Sequence, residues 1–244
     1  MNTATHHSLH GAHIVVFGGS TGIGLATGKI AKSYGATVTL VGRTPAKLEA
    51  AAAAIGADRT AVADIGDRHS VEAVFETTER VDHLVITAGS LRTGRLADTD
   101  PDQMLAELRE RIAGPLYAIK AALPRMPLSG SIVLTGGQLS DRPSGSGTAM
   151  VSSAVRGIEG LGRALALELK PIRVNVISPG FIDTPLFDSF GAEGRTAMLR
   201  QVAEALPGGR IGRADEVGEA IAFLLGNGYM NGEVLHVDGG GRFV

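Results

Sequence analysis

The 244-residue chain contains no cysteine, which excludes disulfide bonds, thiolate metal ligands and a cysteine nucleophile. It also has no surplus of either charge, because its formal net charge is only −2. This balance predicts no nucleic-acid partner and no anionic membrane surface as a partner. No apolar run approaches the ~18 residues that a membrane-spanning helix requires. With 44% hydrophobic and 20% charged residues, the composition is typical of a globular protein.

The first residues, MNTATHHSLHGAH, lack the apolar core of a secretory signal peptide, and we expect a cytoplasmic protein. Four histidines, His6, His7, His10 and His13, fall in this stretch. No acidic residue or cysteine accompanies them at ligand spacing, so we predict no metal site. We interpret the segment as a tail that leads into a strand.

Short apolar runs alternate with helical patterns along the whole chain. Runs such as HIVVFGG, TVTLVGR and GSIVLTGG are apolar on both faces, as expected for a parallel sheet covered by helices. The long helical region from Asp100 to Met126 is expected to kink near Gly114 and Pro115. Since no repeat or linker divides the chain, residues 1–244 are predicted to form one doubly wound α/β domain.

The segment FGGSTGIG joins the first predicted strand to the first predicted helix. Its glycines provide a tight turn, let backbone N–H groups approach a pyrophosphate, and let the helix pack closely on the sheet. The helix N-terminus adds a partial positive charge. A plain tight turn is the alternative interpretation. The loop predicts a dinucleotide site that comprises Gly18, Ser20, Thr21, Gly22, Ile23 and Gly24.

The end of the second predicted strand indicates which dinucleotide binds. Folds that prefer NAD usually place an acidic residue there to hold the ribose 2′-hydroxyl, whereas this chain has Gly42 and Arg43. An arginine attracts a 2′-phosphate, so we predict NADP(H) as the cofactor. A solvated Arg43 is the alternative. After the third strand, Asp64 and Ile65 are placed to meet the adenine, unless Asp64 only forms a turn.

Five segments together resemble the short-chain dehydrogenase/reductase family over nearly the full length: GGSTGIG, ADIGD, VITAGS, RVNVISPGFIDTPL and NGEVLHVDGGG. The resemblance implies a Rossmann-type parallel sheet of seven strands with helices on both faces. It implies further cofactor contacts from Ala88, Gly89, Pro179, Gly180, Ile182 and Thr184. It also implies a small-molecule substrate under a lid at about residues 185–212. The family usually assembles through its long helices, so a homotetramer or homodimer is expected.

In that family a tyrosine donates the proton, and a lysine four residues later lowers the tyrosine pKa and holds the nicotinamide ribose. A serine orients the substrate oxygen, and an asparagine anchors a water relay. Aligning GLGRALALEL with the family pattern places Val151 at the tyrosine position and Val155 at the lysine position. The serine position falls at Gly137 and the asparagine position at Arg111, while Thr87 replaces the turn asparagine. A valine can neither donate nor accept a proton, so the family's proton chemistry is predicted to be absent.

Groups that could replace the family's catalytic residues are predicted in the loop GGQLSDRPSGSGT and on the two neighbouring helices. The candidates are Gln138, Asp141, Arg142, Ser152 and Arg111. A solvated turn explains the loop residues equally well, close helix packing explains Ser152, and Arg111 could lie along a surface. Apolar residues in the lid, Phe187, Phe190, Met198 and Leu199, suggest a hydrophobic substrate wall or ordinary packing.

Three functions are therefore open. The first is an NADP(H)-dependent oxidoreductase with an atypical proton donor, acting on a small hydrophobic carbonyl or alcohol. The second is a redox-neutral enzyme, such as a cyclase, isomerase or dehydratase. The third is a non-catalytic NADP(H)-binding protein or scaffold subunit.

Overall fold

Strands and helices alternate along residues 9–244, the part of the chain that the structure, a computed structural model, describes. His6 and His7 of the N-terminal histidine group lie outside the described residues, as do the side chains of Ser189 and Phe190. The strands are β1 His13–Phe17, β2 Thr37–Gly42, β3 Arg59–Val62, β4 His83–Ile86, β5 Ser131–Thr135, β6 Arg173–Pro179, β7 Ile182–Asp183, β8 Gly212–Arg213 and β9 Val234–Val237. The α-helices are α1 Gly22–Ser33, α2 Pro45–Ile55, α3 Arg68–Glu76, α4 Pro101–Leu108, α5 Gly114–Ala122, α6 Ala149–Glu168, α7 Ala192–Ala205 and α8 Ala214–Gly226.

Seven of these strands form one sheet in the order β3-β2-β1-β4-β5-β6-β9, and each neighbouring pair is parallel. The predicted fold class is therefore confirmed. The chain order of the strands reverses between β1 and β4, where a doubly wound sheet opens a crevice at its carboxyl edge. The remaining strands, β7 and β8, pair with each other beside that edge.

Both faces of the sheet are buried at its central strands, which explains why these strands are almost continuously apolar. Alternate residues of β1 enter two different core clusters: Val15 and Phe17 join one, while Ile14 and Val16 join the other. Ile158 of α6 and Ala118 of α5 belong to the first cluster, whereas residues of α1 and α8 belong to the second. Helices on both faces are thus required to cover the sheet.

A π-helical turn interrupts the long helical region just before the Gly-Pro pair where the sequence predicts a kink. α4 passes into a π-helical turn at Arg109–Ala113 before α5 begins at Gly114. Gly114 keeps ordinary helical dihedrals, and Pro115 sits in the first turn of α5, where its missing N–H costs little. Gly114 is required for another reason, since an added Cβ would lie 2.6 Å from the Ile65 carbonyl oxygen. A kink at the Gly-Pro pair stays a prediction, and the π-helical turn lies directly before that pair.

Candidate active site

At two glycines, the loop after β1 is packed too tightly to hold a side chain. Gly18 has φ of +82°, and an added Cβ would lie 2.7 Å from the Ala88 nitrogen. A Cβ on Gly24 would lie 2.2 Å from the Gly18 carbonyl oxygen and 2.5 Å from Oγ1 of Thr87. Thr87 is itself fixed, because its hydroxyl donates to the Phe17 carbonyl at 2.9 Å. The loop after β1, the turn after β4 and the start of α1 therefore meet backbone to backbone.

The start of α1 keeps its backbone donors free of side-chain caps. Thr21 occupies the N-cap position and is exposed, but its side chain accepts no hydrogen bond from the helix. Ser20 lies towards β2, with its Oγ 3.3 Å from a Cβ built on Gly42. Ile23 packs against the second core cluster and anchors the first turn. An uncapped helix N-terminus of this length suits a phosphate group.

The segment after β6 folds over the glycine loop. Gly22, with φ of +54°, lies against Thr184, whose Cβ and Cγ2 would be 3.2 Å from an added Cβ. Thr184 and Ile182 are both buried. Pro179 ends β6, and the Gly180 N–H donates to the Val237 carbonyl at 3.0 Å. The structure thus gathers the segments that contain every glycine-loop and post-β6 residue predicted for the cofactor.

Residues predicted for the adenosine end differ in their surroundings. Arg43 is exposed and makes no hydrogen bond or ion pair within the part of the chain that the structure describes. Asp64 forms the turn that was its alternative interpretation, since its Oδ1 accepts from the Gly66 N–H at 2.9 Å. Ile65 is buried against Gly114 instead of standing free. An adenine contact by Asp64 or Ile65 stays a prediction.

Arg111 lies beside the turn after β4. Its Nη1 and Cζ atoms would both be 3.3 Å from a Cβ built on Gly89. Its Nε donates to Oε1 of Glu107, and its Nη2 donates to the Ser90 carbonyl. Among residues 9–244, no hydrogen-bond acceptor is recorded for Nη1. With a side chain only 12% exposed, Arg111 enters the site and does not lie along the surface.

The carboxylates around Arg111 hold it in place. Glu107 is fully buried between Arg111 and Arg92, and Arg92 also pairs with Glu110. Burial raises the pKa of Glu110, but hydrogen bonds from Arg92 and Ser90 outweigh this and leave the pKa below its ordinary value. Glu110 is therefore an anion at neutral pH and not a proton donor. No local pattern predicts this network, because it joins the turn after β4 to the end of α4 and the π-helical turn.

Gly137, Val151 and Val155 come together at the end of β5. A Cβ on Gly137 would lie 3.6 Å from Cγ1 of Val155, an ordinary van der Waals contact. Val151 and Val155 are each 2% exposed and lie one helical turn apart on α6. This surface is apolar, so it offers neither a proton nor a hydrogen bond to a bound group.

The three candidates in the loop after β5 have different surroundings. Gln138 packs its Oε1 between Gly180 and Gly241, where a Cβ on each would be 2.8 and 2.6 Å away. Asp141 pairs with Arg156 at 3.1 Å and with His236 at 2.9 Å. Arg142 is exposed.

The hydroxyls of α6 bond within their own helix or to its N-cap. Ser152 directs its Oγ to that of Thr148 at 3.5 Å, and Ser153 donates to the Ala149 carbonyl at 2.8 Å. Two of the sequence candidates are half-buried beside predicted cofactor turns, Arg111 at Gly89 and Gln138 at Gly180.

The sheet order, the glycine loop at the switch point and the segment that closes over it define a dinucleotide-binding enzyme class. The family model described as enoyl-(acyl carrier protein) reductase matches residues 18–241. The 3-oxoacyl-[acyl-carrier-protein] reductase of Homo sapiens is 35% identical over 92% of this chain and 95% of its own length. The chain belongs to the short-chain dehydrogenase/reductase family.

Two solved structures are also close in shape. MalC reductase/Diels-Alderase from Malbranchea aurantiaca aligns with a TM-score of 0.91 at 25% identity, over 99% of this chain and 100% of that chain. A small-chain dehydrogenase in complex with NADPH aligns with a TM-score of 0.84 at 32% identity, over 96% of this chain and 100% of that chain. Within the described residues, no helix is long and apolar enough to cross a membrane.

Proposed function

We propose that the chain binds NADP(H) at the carboxyl edge of β1, β4 and β6. The support is steric and electrostatic: Gly18 and Gly24 let the loop after β1, the turn after β4 and the start of α1 pack backbone to backbone, and α1 begins there without a side-chain cap. Arg43 follows β2 with its guanidinium unpaired within residues 9–244, ready for a 2′-phosphate. The relative solved with NADPH, at 32% identity, is consistent with this cofactor.

Calorimetric titration of NADPH and NADH tests the cofactor proposal. Wild-type protein is expected to prefer NADPH, and Arg43→Ala should lose roughly tenfold or more of NADPH affinity while leaving NADH affinity unchanged. The matched control is Lys47→Ala, which removes another exposed cation, on the neighbouring helix α2. Equal affinity of wild-type protein for both nucleotides would contradict the assignment.

We propose further that the protein reduces a small hydrophobic carbonyl compound without a tyrosine as proton donor. When bound, the reduced nicotinamide supplies a hydride. Arg111 orients the carbonyl oxygen with its Nη1 and stabilises the negative charge that develops there. A guanidinium does not give up its proton at neutral pH, so water supplies the proton for the alkoxide. The observation that carries this role is that Nη1 of Arg111, beside Gly89, has no hydrogen-bond acceptor among residues 9–244.

Arg111→Lys is the sharpest test of that role. A lysine keeps the charge that compensates buried Glu107 but lacks the planar fork that reaches both Ser90 and the pocket. NADPH oxidation should be followed at the nicotinamide absorbance with 3-oxoacyl thioesters and hydrophobic ketones. We expect turnover to fall roughly tenfold or more with NADPH affinity unchanged. Arg109→Lys, in the same π-helical turn but exposed, should behave as wild type.

A redox-neutral reaction is the second candidate function, and one observation favours it. The relative with a TM-score of 0.91 is described as both a reductase and a Diels-Alderase. In the present chain Val151 and Val155 lie one helical turn apart on α6 and are buried, and such an apolar surface suits contact with a hydrophobic substrate. Conversion of a substrate while the NADPH concentration stays constant would select this function over carbonyl reduction.

The segment 185–212 is proposed to close over the substrate, and the chain is proposed to assemble as a homodimer or homotetramer. In that segment Phe187 is buried and its ring stacks on Phe181 at 6.0 Å, while α7 carries no buried residue among those described.

For assembly, the support is a set of exposed leucines on the long helices: Leu105, Leu116 and Leu167. Light scattering after size-exclusion chromatography tests assembly, and Leu116→Arg is expected to lower the measured mass.

A further inference from the structure

Three metal-ligating side chains converge beside α6, at the carboxyl ends of β5 and β9. Asp141 follows β5, Glu159 lies on α6 and His236 lies on β9. One carboxylate oxygen from each acid and one ring nitrogen of the histidine all lie within 4.8 Å of one another. Oxygen and nitrogen atoms at this separation can reach a single ion with small side-chain adjustments.

Glu159 gives an independent sign that a partner is missing from this cluster. The residue is 1% exposed, and its Oε1 has no hydrogen-bond partner among the described residues. A buried carboxylate oxygen without a donor or a cation is costly, because burial removes its water without replacement. An isolated surface cluster of acids would carry no such cost.

Neighbouring hydroxyls on the same side of the sheet are also unpartnered. Ser178 is fully buried, and its Oγ has no hydrogen-bond partner in the described part of the chain. Ser178 pairs in register with His236, and it shares a sheet face with Val174 and Val176, which belong to the α6-side core. Ser140, next to Asp141, likewise has a buried Oγ with no partner recorded within residues 9–244. These groups would hydrogen-bond to water molecules around an ion.

Arg156 positions the two carboxylates instead of filling the space between them. Its Nη1 donates to Oε2 of Glu159 at 2.9 Å, and its Nη2 donates to Oδ1 of Asp141 at 3.1 Å. Oε1 of Glu159 has no partner among the described residues, whereas Oδ2 of Asp141 and Nε2 of His236 hydrogen-bond to each other at 2.9 Å, so an ion would take the place of the proton between them. Two carboxylates against one guanidinium leave a negative charge uncompensated, which a cation can neutralise.

We propose that Asp141, Glu159 and His236 bind a divalent transition-metal ion, Mn²⁺ or Zn²⁺. One imidazole with two carboxylates suits these borderline ions, whereas Mg²⁺ and Ca²⁺ favour all-oxygen sites. Arg156 hydrogen-bonds the other carboxylate oxygen of each acid, Oε2 of Glu159 and Oδ1 of Asp141, and so holds both side chains in place. The ion would connect the loop after β5, α6 and β9, and the proposal does not depend on the reaction proposed above.

Metal binding is measured directly by titrating EDTA-treated protein with MnCl₂ and counting free Mn²⁺ by electron paramagnetic resonance. We expect one Mn²⁺ per chain, retained in excess Mg²⁺, and a higher melting temperature in its presence. Glu159→Gln and His236→Gln should each weaken binding roughly tenfold or more. Glu168→Gln, on the same helix but exposed, should bind Mn²⁺ as the wild type does.

A further variant tests whether His6 and His7 form an alternative metal site. The double substitution His6→Asn and His7→Asn should leave Mn²⁺ and Zn²⁺ binding unchanged. If Glu159→Gln does not fold, His236→Gln still decides the question, because this side chain is 23% exposed. The proposal is overturned if wild type binds no Mn²⁺ or Zn²⁺ at about millimolar concentration, or if neither cluster variant weakens binding.

Discussion

At the scale of single residues, Val151, Val155 and Gly137 stand where the sequence alignment places the family's tyrosine, lysine and serine. They keep the packing that the fold requires, since both valines are buried and Gly137 lies in contact distance of Val155. What the apolar side chains cannot provide is a proton or a hydrogen bond to a ribose. The sequence alignment identified these positions correctly as neighbours, because the helical period and the strand end fix them locally.

Restoring the family residues is expected to create a reductase of the ordinary type. The triple variant Gly137→Ser, Val151→Tyr and Val155→Lys places a hydroxyl, a phenol and an ammonium on one surface, and should raise NADPH-dependent reduction of 3-oxoacyl thioesters by roughly 10²-fold or more. The space near Gly137 accepts a side chain, since the nearest atom to an added Cβ is 3.6 Å away.

The matched control for that gain is Gly137→Ala, Val151→Phe and Val155→Met, which changes volume similarly without adding a proton donor. Melting temperatures of both triple variants establish that they fold. Equal activity of the two variants would show that Val151 and Val155 do not occupy the tyrosine and lysine positions.

At the scale of elements, α6 lies so close to β6 that one of its glycines is obligatory. A Cβ on Gly162 would lie 2.5 Å from Cγ2 of Val176, whereas nothing lies within 4 Å of a Cβ on Gly160. Gly162→Ala should therefore lower the free energy of unfolding by about 1–3 kcal/mol through overpacking. Gly160→Ala should raise it by about 0.5–1 kcal/mol, because a mid-helix glycine is entropically costly.

Urea unfolding followed by circular dichroism measures both changes. The two substitutions are chemically identical and lie two positions apart on one helix, so each is the control for the other. Similar losses for both would mean that Gly160 is as restricted as Gly162, for example by an intermolecular contact, and that packing on β6 does not distinguish the two positions.

The sequence predicts those features that local interactions form, and it does not predict those that depend on contacts between distant parts of the chain. The glycine loop and the strand-helix alternation are local patterns, and they appear in the structure where they were expected. The π-helical turn at Arg109–Ala113 has no comparable pattern, and it decides that Arg111 points at Gly89. The cluster of Asp141, Glu159 and His236 was missed because its members lie on separate elements. The register of β6 with β9 positions His236, while Asp141 comes from the loop after β5 and Glu159 from α6.

At the scale of the whole molecule, the amino edge of the sheet buries a titratable group that links stability to pH. His83 begins β4, and its Nδ1 lies 2.8 Å from the Ser131 hydroxyl. Burial lowers the His83 pKa from 6.5 to about 4, with the nearby Arg173 guanidinium acting in the same direction and the Asp82 carboxylate opposing it. The imidazole is therefore neutral in the folded protein at neutral pH.

Acidification should consequently destabilise the fold before any carboxylate is protonated. The unfolded chain takes up a proton at His83 near pH 6.5, while the folded chain does not until about pH 4, so the folded state binds fewer protons between these values. Stability is complete above pH 6.5 and falls by up to about 1.4 kcal/mol per pH unit as the pH drops, or about 2 kcal/mol by pH 5. Urea unfolding at pH 8, 6 and 5 measures this slope.

His83→Gln should flatten the slope, because glutamine keeps a hydrogen bond to Ser131 without a titrating ring. His69→Gln is the matched control, since the His69 side chain is 94% exposed. Measurements should stay above about pH 5, because acids with lowered pKa values, such as Asp82 and Glu110, lose their stabilising charge below that range. An unchanged slope in His83→Gln would mean that the imidazole takes up its proton in the folded state as readily as in the unfolded chain, and that the amino edge of the sheet admits water to it.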